Sequence, residues 1–292
     1  VTTRIVYDFM NEHPFGWIVA AYFFAASVAS GLAIFTMAVH LFKLTKYQRL
    51  ARITAFVTPF IAALVALTLI AELAQPMRFF RVLFNFNPAS PISWGTWILN
   101  LFALISVAYA YAELKGLTAY KRPLAIIGVP IAALLPMYTA FELLMTRAST
   151  LWTSSLLPVI YLLSAGVAGI AVVLFISAVT RPDPIANVTF WLGRIGSHFV
   201  IYAFALMVIQ VLVLFSRSTP AAVIGHSLIS GYYSAAFWGV LFVGGTVLPV
   251  GLLYFPTTGR TRVGQIVASL LILAGVFSQR ALEIFAGMNF PH

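Results

Sequence analysis

Eight apolar runs leave this chain few ways to fold. They cover 17–42, 51–73, 93–113, 123–144, 156–179, 195–215, 234–255 and 263–285. A helix needs about 20 mostly apolar residues to cross roughly 30 Å of hydrocarbon. Only helices or closed barrels satisfy their backbone there, and long runs without period-2 alternation predict helices. Composition agrees. Of 292 residues, 62% are hydrophobic and 8% are charged, against about 25% charged in a soluble domain. A protein of this kind cannot cover its surface with polar groups, so a soluble monomer is excluded. The first run is too long for a signal h-region of about 7–15 residues, and it follows Asp8 and Glu12 where a signal would be basic. No segment is left over for a soluble domain. The expected fold is an all-α integral membrane protein with eight transmembrane helices.

Charge placement gives an expected orientation. The loops after the first, third, fifth and seventh runs hold Lys43, Lys46, Arg49, Arg52, Lys115, Lys121, Arg122, Arg181, Arg194, Arg260 and Arg262. The other side holds Arg4, Arg78, Arg81, Arg147, Arg217 and Arg280. Eleven against six puts both termini outside, as expected for a bacterial or archaeal cytoplasmic (inner) membrane. The net charge of +10 is scattered through short loops and forms no basic face, so nucleic acid is not the expected partner. With no cysteine, the protein cannot supply disulfides, zinc thiolates or ligands for an iron–sulfur cluster. The longer outer loops, 74–92, 145–155 and 216–233, are where function is expected.

Residues Tyr22 to Ala29 align with Tyr161 to Ala168 at a constant offset, and each segment runs into small residues four apart, Ser27 with Gly31 and Ala165 with Gly169. Such spacing lets helix backbones approach closely. The expectation is two four-helix bundles, 1–144 carrying the site and 145–292 forming the second. The repeats would be parallel, which weakens the inverted plan of many alternating-access transporters.

Ionisable groups inside a bilayer cost several kcal/mol, about 2.5–3.5 on insertion scales, and need a reason. Glu72, Glu142 and Glu283 close the second, fourth and eighth runs at the outer side, while Glu113 ends the third at the inner side. Tyr138 and Glu142 are four apart and share a helix face, and Pro136 frees carbonyls nearby. Around them come Arg78, Phe79, Phe80, Arg81, Phe84, Phe86, Trp94, Trp97 and Trp152. Acids, a phenol and flat rings at one depth suit a quinone, which needs apolar walls, hydrogen-bond donors and proton carriers. The competing reading is an interfacial aromatic belt with solvated acids. Arg280 with Glu283, and Glu113 with Lys115, read as structural pairs. Of the five histidines only His40 and His198 fall within spans, so a two-haem cytochrome is excluded and a single haem is disfavoured.

The segment Glu72-Leu73-Ala74-Gln75-Pro76-Met77-Arg78-Phe79 resembles the acid-Leu-Gly-basic-Pro-x-Arg-Phe stretch of the polysulfide-reductase membrane subunit family (NrfD/PsrC-like). Ser90-Pro91-Ile92-Ser93-Trp94-Gly95-Thr96-Trp97 is similar to that family's Ser-Pro-x-Ser-Trp-Gly-x-Trp, and Pro136-Met137-Tyr138 and Trp152 to Pro158 complete the likeness. The resemblance is good through the fifth helix and vague after it. It implies a haem-free subunit that exchanges electrons with quinone, menaquinone or ubiquinone. Its expected partners are an iron–sulfur subunit and a molybdopterin catalytic subunit on the outer face, in anaerobic respiration. Glu72 matches the family's second-helix acid, Tyr138 its pocket tyrosine and Arg78 its loop arginine. Glu for Asp, Ala74 for Gly and Gln75 for a basic residue are departures. In the first helix, where some members carry His or Asn, this chain has Val19 and Tyr22.

The sequence reading is therefore a quinone-reactive subunit that is not catalytic alone. Glu72 and Glu142 would handle protons and Tyr138 would hydrogen-bond the ring. Arg78 would stabilise developing negative charge, Tyr22 would be a second donor, and Trp94 and Trp152 would line the pocket or a docking surface. No metal is expected. A secondary transporter and a purely structural anchor are the alternatives.

Overall fold

In the computed structural model the chain is described over residues 15–72, 84, 86–88, 90–146, 149–180, 186–217 and 219–289. Among these every long element is a helix. The order is α1 (Trp17–Leu41), α2 (Gln48–Glu72), α3 (Pro91–Leu114), α4 (Thr118–Thr146), α5 (Leu157–Thr180), α6 (Ala186–Arg217), the short α7 (Thr219–Ile229), α8 (Ala235–Tyr254) and α9 (Arg262–Asn289). Eight are long and apolar enough to span a membrane, as the runs predict. Two features depart from the sequence reading. The loop expected over 216–233 contains α7, and α8 opens as a π-helix over Ala235–Val247. A uniformly apolar stretch carries no periodic signal to distinguish 3.6 residues per turn from the wider winding.

The centre is α1, which packs on α2, α4 and α5. Its contact with α5 is backbone on backbone. A Cβ on Gly31 would collide with the Ala165 carbonyl oxygen and lie 2.7 Å from the Gly169 nitrogen, and Gly169 faces Gly31 reciprocally. The small residues that echo between the two helices are thus the ones that meet. Gly31→Val should force α1 and α5 apart at a cost of about 1–3 kcal/mol. A detergent thermal melt no lower than wild type would show that the contact is dispensable.

The joint between α1 and α4 follows from a proline. Pro136 has no N–H, so the Ala132 carbonyl loses its intrahelical donor. The Ser30 hydroxyl of α1 donates to it instead at 2.6 Å, fully buried. The carbonyl freed by Pro136 is therefore spent on packing and does not serve the site.

A second tie joins α1, α5 and α9. Arg280, with no exposed surface, donates from Nη2 to the Ser27 and Ser164 hydroxyls and to the Tyr161 carbonyl. Its guanidinium carbon stands 3.4 Å from the centre of the Tyr161 ring. Glu283 lies 3.8 Å from Arg280 Nη1, the structural pair expected from their spacing.

Candidate functional site

Connectivity gathers the predicted residues. α1 and α3 begin, and α2 and α4 end, at one end of the helices, so Tyr22, Gly95, Tyr138, Glu142 and the close of α2 share that end. Tyr22 and Tyr138 are buried, 2% and 6% exposed. Glu142, one turn beyond Tyr138, is partly exposed as a residue. Its carboxyl interacts electrostatically with both phenols, and Tyr138 also interacts with Tyr22. Apolar side chains, among them Phe23, Phe102, Leu135 and Leu143, fill the core around Tyr22.

Two buried polar atoms here have no hydrogen-bond partner, the Tyr22 hydroxyl and Glu142 Oε2. Buried polar groups are nearly always paired, since an unpaired one costs about 1–3 kcal/mol. A donor-capable phenol and a carboxyl oxygen left open in an apolar setting fit a flat ring compound with oxygens at its edge. These residues fit a quinone.

Gly95 is the positional residue that sequence reasoning left without a role. A Cβ there would overlap the ring and hydroxyl of Tyr138, so only glycine lets α3 lie against that phenol. Its signal was its place inside the Ser-Trp-Gly segment.

Trp94 and Trp152 have contacts of their own. Trp94, in the first turn of α3, is half exposed, donates its indole N–H to the Pro88 carbonyl at 2.9 Å and meets Phe86 edge-on, so it lies against the preceding loop at the surface. Trp152 is fully buried and donates its N–H to the Glu283 carbonyl at 2.7 Å, with its ring over Gly287. That ties the loop before α5 to α9. Glu72 closes α2, but its side chain and Arg78 lie outside the described residues.

At the opposite end Glu113 does not pair with Lys115. Lys115 caps α3, and Glu113 instead meets Lys121 Nζ of α4 at 2.6 Å, with Arg52 at 3.9 Å and His40 at 3.7 Å. His40 Nδ1 also bonds the Tyr109 hydroxyl at 2.6 Å, and His198 Nδ1 bonds the Arg194 carbonyl. No group of three or more His, Cys, Asp or Glu is gathered for a metal among the described residues.

Comparison with known proteins agrees with this frame. Residues 6–292 match the family described as Polysulphide reductase, NrfD. One chain of the polysulfide reductase of Wolinella succinogenes is 25% identical over 96% of this sequence and 96% of its own length. One subunit of the selenate reductase of Mesobacillus selenatarsenatis is 23% identical over 94% of this sequence and 74% of its own length. The Hdr-like menaquinol oxidoreductase integral membrane subunit of Archaeoglobus fulgidus is 22% identical over 96% of this sequence and 72% of its own length. Eight spans, a motif-bearing first half and a match along nearly the whole sequence converge: this multi-pass membrane protein belongs to the NrfD family, whose members are membrane subunits of quinone oxidoreductases.

Proposed function

We propose that this chain passes electrons between an iron–sulfur partner subunit and the membrane quinone pool, with proton uptake or release at the Tyr22–Tyr138–Glu142 cluster. The observation that carries this reading is the pair of buried, unpartnered atoms, Tyr22 hydroxyl and Glu142 Oε2, beside Tyr138. Bound quinone would supply the two-electron chemistry that these side chains lack. The residues' own work is separable. The phenols donate hydrogen bonds to ring oxygens, Glu142 holds or releases a proton next to them, and apolar walls exclude water. Glu72 would be the second proton carrier and Arg78 a cationic cover from the following loop. The exposed Trp94 ring suits a docking surface, and Trp152 would support the frame from behind.

The names of the relatives support the reading, one being a menaquinol oxidoreductase subunit and two being parts of reductases. By the same analogy a molybdopterin catalytic subunit would complete the complex on the outer face of a bacterial or archaeal inner membrane. The test is quinone content. Extraction of the complex purified through this chain should yield bound quinone. Tyr22→Phe and Tyr138→Phe should each weaken retention about tenfold, one hydrogen bond's worth. Equal retention by both variants and wild type would remove the cluster from quinone binding.

A further inference from the structure

At the end of the helices away from the tyrosine cluster, the C-termini of α1 and α3 and the N-termini of α2 and α4 enclose a recess of about 600 Å³. Five cations line it, Lys43, Arg49, Arg52, Lys121 and Arg122, against one acid, Glu113. Glu113 is already engaged by Lys121 at 2.6 Å and Arg52 at 3.9 Å. No described carboxylate lies within ion-pair distance of Lys43, Arg49 or Arg122.

The helix ends make this imbalance worse. A helix N-terminus carries about half a positive charge and normally attracts acids. Neither α2 nor α4 has an acid in its first turn, and Arg49, Lys121 and Arg122 stand near these ends instead. The backbone adds an independent sign. α1 and α3 end in the same turn, with the Leu44 N–H bonded to Val39 and the Leu117 N–H bonded to Ala112. Both turns need a left-handed residue. α3 uses Gly116, φ 68°, but α1 uses Lys43, φ 51°. A lysine held where glycine is favoured puts one more cation at the recess against local preference.

The rim is apolar. Phe42, Leu44, Leu114, Leu117 and Tyr120 all stand exposed on the segments that frame it. Cations in a hollow with exposed apolar side chains around it match one amphiphile, a phosphate headgroup with its chains on the rim. We propose that this recess holds the phosphate of an anionic phospholipid, with the acyl chains against Phe42, Leu114 and their neighbours.

The test uses the full-length protein, with the subunits that co-purify, after delipidation. Native mass spectrometry would follow its titration with phosphatidylglycerol, phosphatidylcholine and inorganic phosphate. Phosphatidylglycerol should bind and phosphatidylcholine should not. The double variant Arg49→Gln/Arg122→Gln should lose about thirtyfold in phosphatidylglycerol affinity, at about fivefold per cation. Lys43→Gly guards against misfolding as the cause, since it should raise the melting temperature while weakening phosphatidylglycerol about fivefold. Equal binding of phosphatidylcholine, or unchanged affinity in these variants, would overturn the proposal. Displacement of the lipid by millimolar inorganic phosphate would assign the recess to a free anion and overturn the lipid assignment.

Discussion

Glu142→Gln should lower quinone-linked turnover of the complex by about 10²–10⁴-fold, the range a positioned proton carrier contributes. Gln has the shape of Glu and keeps a carbonyl oxygen near Tyr138, but it cannot take up and release a proton. Bound quinone should therefore be retained within a few-fold of wild type, and dye-linked activity of the partner enzyme should be unchanged. The three readouts separate roles. A loss confined to quinone turnover is the signature of proton handling at Glu142. Loss of bound quinone as well would indicate a collapsed pocket, and an unaltered rate would remove Glu142 from the reaction. The equivalent exchange at Glu72 tests the second acid of the sequence reading.

Removing Arg280 should be the most damaging change to the fold. The guanidinium has no exposed surface and holds hydroxyls on α1 and α5 while facing Glu283. Arg280→Met leaves the Glu283 carboxyl buried without its cation, at a cost of about 3–5 kcal/mol. The expected result is low accumulation in membranes and a sharply lowered detergent melting temperature. A paired change, Arg280→Met with Glu283→Gln, removes both charges and should recover most of that loss, because a buried ion pair is replaceable where a lone buried charge is not. If the single variant melts like wild type, the tie through α1, α5 and α9 is not structural. If the double variant is no better than the single, the hydroxyl contacts of Arg280 matter more than its charge.

The spans were legible because hydropathy is a local property, and most limits shifted by only a few residues; α6 is the exception, starting at Ala186, nine residues before its apolar run. The meeting of Tyr138 with Glu142 was legible from four-residue spacing, whereas Tyr22 entered only through the family resemblance, as a substitute donor on the first helix. The partners of charged groups were not. Glu113 and Lys115 are neighbours in sequence, yet the turn after α3 directs the acid towards Lys121 of α4. Arg280 finds Ser27 and Ser164 at separations of 253 and 116 residues, beyond any periodic signal. Trp152 illustrates another limit. An aromatic residue in an outer loop reads as interfacial, and only the packed structure shows its indole enclosed over Gly287.

Gly31 and Tyr22 lie nine residues apart on α1, about 13 Å along the axis. Main chains in direct touch have no compressible layer between them, so α1 and α5 cannot shear past each other without opening a void in the interior. The Tyr22 phenol consequently rides on a stationary mount. A ring compound held at this cluster as proposed would be selected by fixed distance and shape, with adjustment left to side chains.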